Sequence, residues 1–167
     1  MKKYWDMGLK ILFVIYLSAL VWIIIFKLQF SIDNIDRVRS INLIPFKGVT
    51  IVNHRIDISE IVNNVIIFVP FGIYMKMLKI DWTFFKNILA FFCVSLLFEI
   101  VQYAFAIGRS DVTDIIENTL GGCIGIFVYN IFKWIFKEKV NKIFGILASI
   151  GTIFMLLLLT VTILSNY

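Results

Sequence analysis

The chain reads as an all-α integral membrane protein, a bundle of about five transmembrane helices in which the second is short, kinked or re-entrant. Three observations predict this. Of 167 residues, 60% are hydrophobic and 16% charged, against about 45–50% and about 25% in soluble domains. Mean hydropathy is +0.93, far above the low values that leave a chain disordered. Long charge-free runs recur, and the length accommodates about four to six spans at roughly 20 residues each plus loops. Two cysteines are too few for a disulfide scaffold. Residues 1–167 are therefore expected to form one membrane domain.

The first run, Ile11 to Phe26, carries no charge and is flanked by Lys10 and Lys27, which can snorkel to the interface. It lacks the short core and small-residue cleavage site of a signal peptide, so a retained span is expected. Residues 31–59 are polar and contain the patch Asn42-Leu43-Ile44-Pro45-Phe46 and the single histidine, His54. The second run, Ile61 to Met75, is interrupted by Asn63, Asn64 and Pro70, so a tilted, broken or re-entrant helix is expected there.

The third run, Asn87 to Ile107, has full spanning length and carries Glu99 and Gln102. A tight connection, residues 108–113, leads into the fourth run, Asp114 to Phe136, which holds Glu117, Asn118, Gly121, Gly122 and Gly125. A fifth helix is expected over 143–164, without charge. Ten of the 16 basic residues fall on the side of the N-terminus if five spans are drawn. That bias places the N-terminus inside and the C-terminus outside. The net charge of +5 is read as span anchors beside anionic headgroups, and no nucleic-acid partner is expected.

The informative residues are polar ones inside apolar runs. Glu99 stands eight residues before the end of its run, roughly 12 Å deep at about 1.5 Å per residue. A carboxylate there costs at least about 2–3 kcal/mol on insertion scales, so it should face the bundle interior, be protonated or have a partner. Ser95, Glu99 and Gln102 share one helical face, and Asp114, Asn118, Gly121 and Gly125 share another. The two helices are antiparallel neighbours across a short connection. A polar stripe facing a glycine notch is expected to make an interhelical pocket, which Asn63 joins from the second run. A structural role competes on equal terms: Asp111 followed by Asp114 resembles a helix N-cap with an acidic third residue. Arg109 either neutralises these acids or receives a phosphate or carboxylate. Pro45 is expected in a turn at the interface, and Pro70 to kink the second helix. His54 lacks the partners of a zinc site, so no metal centre is expected. Cys93 and Cys123 lie at different depths, which disfavours a disulfide. No phosphate loop or hydrolase elbow is present, and no cofactor is named by the residues.

Three blocks together resemble the VanZ-like family of bacterial membrane proteins over a region of about 10–136. The first is Asn42-Leu43-Ile44-Pro45-Phe46. The second is residues 60–72, including Asn63 and Pro70. The third is the register Ser95, Glu99, Gln102, Arg109, Asp111, Asp114, Asn118, Gly121 and Gly125. The resemblance implies a multi-pass protein of the bacterial plasma membrane, associated with resistance to teicoplanin and related lipoglycopeptides. Its expected partners are the lipid bilayer and a lipid-linked envelope precursor or lipoglycopeptide. From these blocks the expected pocket or ligand-binding set is Asn42, Pro45, Phe46, Asn63, Pro70, Ser95, Glu99, Gln102, Arg109, Asp111, Asp114, Asn118, Gly121 and Gly125, with Glu99, Arg109, Asp111 and Asp114 as candidates if the protein is catalytic. The alternative is a non-catalytic binding or scaffold protein that sequesters lipidated ligands or partners envelope enzymes.

Overall fold

The computed structural model describes residues 2–26, 39–47, 51–52, 55–56, 58–78 and 81–165. Helix α1 spans Lys2–Phe26, α2 Ser59–Met77, α3 Phe84–Phe105, α4 Val112–Phe136 and α5 Val140–Ser165, and a 3₁₀ turn, Lys137–Lys139, joins the last two. The all-α class holds, with four short strands added among the described residues: β1 Arg39–Asn42, β2 Ile51–Val52, β3 Arg55–Ile56 and β4 Gly108–Asp111. Strands β2 and β3 pair as a small antiparallel ladder, whereas β1 pairs β4 in parallel with Asn42 opposite Asp111.

Among the described residues four stretches are long and apolar enough to cross a membrane: Trp5–Ile25, Ser59–Met77, Phe84–Phe105 and Val112–Leu157. The fourth and fifth runs of the sequence thus join through the 3₁₀ turn into one stretch of 46 residues, where separate spans had been expected. The burial pattern is inverted relative to a soluble protein. Trp134 and Phe85 are 82% and 81% exposed, while Asn87, Ser95, Glu99, Gln102 and Asn118 are buried. Large apolar exposure on this scale suits lipid rather than water.

Helix α2 is one unbroken helix that continues through Pro70. It packs parallel to α4 at backbone contact. A Cβ at Gly121 would run into the Val65 carbonyl, one at Gly125 into the Val69 carbonyl, and one at Gly72 into the Gly122 carbonyl. Small residues permit this approach, and the close van der Waals packing holds the pair where lipid supplies no hydrophobic drive. Helix α3 runs antiparallel to α4, with Phe91 beneath Gly122 and Ser95 beside Asn118. Helix α1 leans on α2 through the rings of Phe13, Tyr16, Phe71 and Tyr74, and its far end receives the Gln102 side chain at the Ile24 carbonyl, 2.9 Å away. Trp5 of α1 lies against Gly145 of α5. The bundle therefore has two distinct ends. At the polar end α2 and α4 begin and α3 finishes; the opposite end carries Lys76, Lys133, Lys137, Lys139 and Lys142.

Candidate functional site

The site is built at the polar end. Helix α3 stops at Ala106, which takes a left-handed conformation (φ 55°). The N–H groups of Ala106 and Ile107 fold back onto the carbonyls of Tyr103 and Gln102, satisfying groups that a helix end leaves open. Strand β4 follows directly and delivers Asp111 as the N-cap of α4, where its Oδ1 accepts from the Thr113 N–H at 2.8 Å. Its other oxygen accepts from the Asn42 amide at 2.8 Å. Its own backbone N–H donates to Glu99 Oε2, again at 2.8 Å. Asp111 is thus held by three elements at once. The Ser110 hydroxyl, donating to the Glu99 carbonyl at 2.8 Å, fixes the same junction.

The Asn42–Phe46 patch forms the lid of this end. Asn42 Oδ1 accepts from the Ile44 N–H, a local turn bond typical of asparagine. Pro45 lies in the turn that follows. Phe46 adopts φ 60°, and its N–H donates to the Thr113 hydroxyl at 3.0 Å. The turn leaves Leu43, Ile44 and Phe46 exposed.

One turn further into the bundle, the amide nitrogen of Asn64 donates to Asp114 Oδ1 at 3.0 Å and to Glu117 Oε2 at 2.9 Å. One side chain of α2 therefore bridges two carboxylates of α4. Glu117 is only 3% exposed, and its Oε1 has no hydrogen-bond partner among the described residues. On the other side of α4, the Asn118 amide donates to the Ser95 hydroxyl at 2.8 Å in a fully buried contact. The polar stripe of α4 thus faces the seam between α2 and α3. Asp114, Gly121 and Gly125 lie along the α2 side and Asn118 along the α3 side.

The remaining expected residues fall elsewhere. Arg109 is exposed on β4, between buried Gly108 and Ser110. Gln102 turns to α1 rather than α4. Asn63 is exposed, and its neighbour Asn64 is the one that meets the acids. Pro70 lines an apolar cavity between α1, α2 and α5, away from the carboxylates. His54, Arg37 and Lys27 lie outside the described residues. Both cysteines are free. Among the described residues no group of three or more His, Cys, Asp or Glu side chains is arranged to hold a metal ion. Sequence reasoning passed over Asn64, Thr113 and Glu117. The available signals were the i, i+4 relation of Asn64 to buried Phe68 and the i, i+3 relation of Glu117 to Asp114.

A helical bundle that exposes its apolar residues and buries acids and amides at one end defines a polytopic membrane protein. Comparison with known proteins then places the chain in a family: the sequence profile of the VanZ/LLP1 family matches residues 13–133, and the chain belongs to that family. It is similar to Protein VanZ of Enterococcus faecium, with 35% identity over 150 residues covering 89% of this chain and 88% of the relative. No solved structure matches.

Proposed function

We propose that the chain is a multi-pass protein of the bacterial plasma membrane that lowers the effect of teicoplanin-type lipoglycopeptides by holding a cell-envelope lipid or lipid-linked precursor at its polar end. In this reading five helices cross the bilayer, the N-terminus is cytoplasmic and the polar end faces outward. Membership of the VanZ/LLP1 family supports the link to glycopeptide resistance. The orientation is supported by the lysines gathered at the opposite end.

The carrying observation is the bridge from Asn64 to Asp114 and Glu117. Two acids beside each other inside a spanning helix are costly, and intramembrane ionisable groups mark function by default. The hydrogen bonding favours holding over catalysis. Both oxygens of Asp111 are engaged in capping and in the Asn42 contact, and Glu99 is fixed onto a backbone N–H. Arg109, exposed at the rim, offers a planar fork for a phosphate.

The test is the teicoplanin susceptibility of a sensitive bacterium expressing the wild-type chain, Asn64→Ala or Glu117→Gln, with membrane levels of each protein measured alongside. The wild type should raise the inhibitory concentration, and both variants should abolish that rise at unchanged protein level. Full protection by both variants would overturn the assignment of the site. No protection by the wild type would overturn the resistance role.

A further inference from the structure

We propose that the cluster of Asn64, Asp114 and Glu117 takes a primary ammonium group, with Glu117 Oε1 as its innermost acceptor. This inference rests on the proposed function, in which the polar end holds an envelope ligand, and names the chemical class of the group held there. Donors and acceptors are out of balance in the cluster. Asn64 gives one amide nitrogen to two carboxylates, Asp114 Oδ1 at 3.0 Å and Glu117 Oε2 at 2.9 Å. A neutral amide supplies no charge to offset theirs. Glu117 Oε1 receives no donor from the described residues, although the residue is 3% exposed. The charges that act on Glu117 are those of Glu60 and Asp111, both negative, and no basic side chain among the described residues pairs with it. A buried carboxylate calls for a partner that brings both a donor and positive charge.

The remaining acceptor selects the kind of cation. A guanidinium presents a planar fork suited to both oxygens of a carboxylate, and Oε2 is already taken by Asn64. A hard divalent ion surrounds itself with about six or more oxygens, and no group of three or more His, Cys, Asp or Glu side chains among the described residues is arranged to hold one. A primary ammonium is compact and carries three N–H donors, of which one suffices for Oε1. A trimethylated ammonium has the same charge and none of those donors.

The position of the cluster suits a group carried at the membrane surface. The apolar stretch of α4 begins at Val112, and Glu117 lies roughly 8 Å further in at about 1.5 Å per residue. The headgroup layer is roughly 5–7 Å deep on each face of a bilayer. Asn64 and Asp114 are half-buried, and Glu60, one helical turn before Asn64, is exposed. Acidic side chains therefore line the way from the surface to Glu117, which favours the approach of a cation over that of an anion.

The experiment titrates the full chain, delipidated in detergent, with dioleoyl phosphatidylethanolamine or dioleoyl phosphatidylcholine, which differ only in methylation of the nitrogen. Bound lipid is counted by native mass spectrometry. The wild type should hold the ethanolamine lipid about tenfold more tightly, and Glu117→Gln should abolish that preference. Glutamine keeps an acceptor for the Asn64 amide and sets an N–H where Oε1 stood; thermal unfolding checks that the variant is folded. Should it fail to fold, Asp114→Asn, which also keeps an acceptor for Asn64, serves in its place. Equal binding of the two lipids by the wild type, or a preference that survives in the folded variant, would overturn the inference, while the proposed function is judged separately by teicoplanin susceptibility. A second arm adds excess ethanolamine to the lipid-loaded protein. Displacement supports the site with a free amine as its ligand, and persistence supports it with the lipid headgroup as its ligand.

Discussion

The backbone N–H of Asp111 donates to the carboxylate of Glu99 at 2.8 Å, although twelve positions separate the two residues. This bond ties α3, six residues before its end at Phe105, to the N-cap of α4. It also gives a buried acid, 5% exposed, a defined structural task. Glu99→Gln retains an acceptor for that N–H, and Glu99→Ala does not. In thermal unfolding of the detergent-solubilised protein, the glutamine variant should lie close to wild type. The alanine variant should lose about 1–3 kcal/mol, the cost of an unsatisfied buried donor. Loss of teicoplanin protection in a fully stable Glu99→Gln protein would instead assign the carboxylate a chemical role.

Asn42 and Asp111 face each other across the β1–β4 ladder, with the amide donating and the carboxylate accepting. Their chemistry can be exchanged. Asn42→Asp alone sets two acceptors against each other, and Asp111→Asn alone sets two amide nitrogens together. Each single variant should be destabilised, and the double exchange should recover most of the loss because asparagine also caps helices well. A double-mutant cycle by denaturant or thermal unfolding should return a coupling of about 0.5–3 kcal/mol. A coupling near zero would show that the two side chains act independently.

Backbone contact between α2 and α4 makes three glycines sensitive to a single methyl group. Gly72→Ala, Gly121→Ala and Gly125→Ala each place a Cβ against a carbonyl of the partner helix. Each should cost about 1–3 kcal/mol, as overpacking generally does. Gly8→Ala, in α1 with nothing within 4 Å, should be neutral or slightly stabilising. Comparing the unfolding temperatures of these four variants checks the helix pairing without recourse to function.

The helices were legible because apolar runs of spanning length leave few alternatives. The run starting at Ile11 is extended in the structure back to Lys2, since helical hydrogen bonding does not stop where charge begins. The run from Asn87 coincides closely with α3, Phe84–Phe105. The cap at Asp111 was also legible, because an acid with a short side chain before an apolar run has a local geometric purpose. The strands were not. Residues 39–42 and 108–111 are four-residue segments whose residue types do not alternate between apolar and polar, although their burial does, and parallel pairing over such a separation leaves no trace in either segment. Choosing Asn64 over Asn63 required knowing which side of α2 meets α4. Adjacent residues on a helix point about 100° apart, and a run that is apolar nearly all round does not mark its inner side.

The parallel ladder also sets an order of events during synthesis. Strand β1 is made before α2 and α3, yet its partner, Gly108–Asp111, emerges only after both of those helices have been completed. Until then the N–H and C=O groups that β1 will give to the ladder must be satisfied by water, and the Asn42 side chain has no Asp111 to meet. Contacts of such long sequence separation form late. The clasp across the top of the bundle is therefore a closing step, and a ribosome-bound nascent chain halted before residue 108 should leave residues 39–42 open to protease.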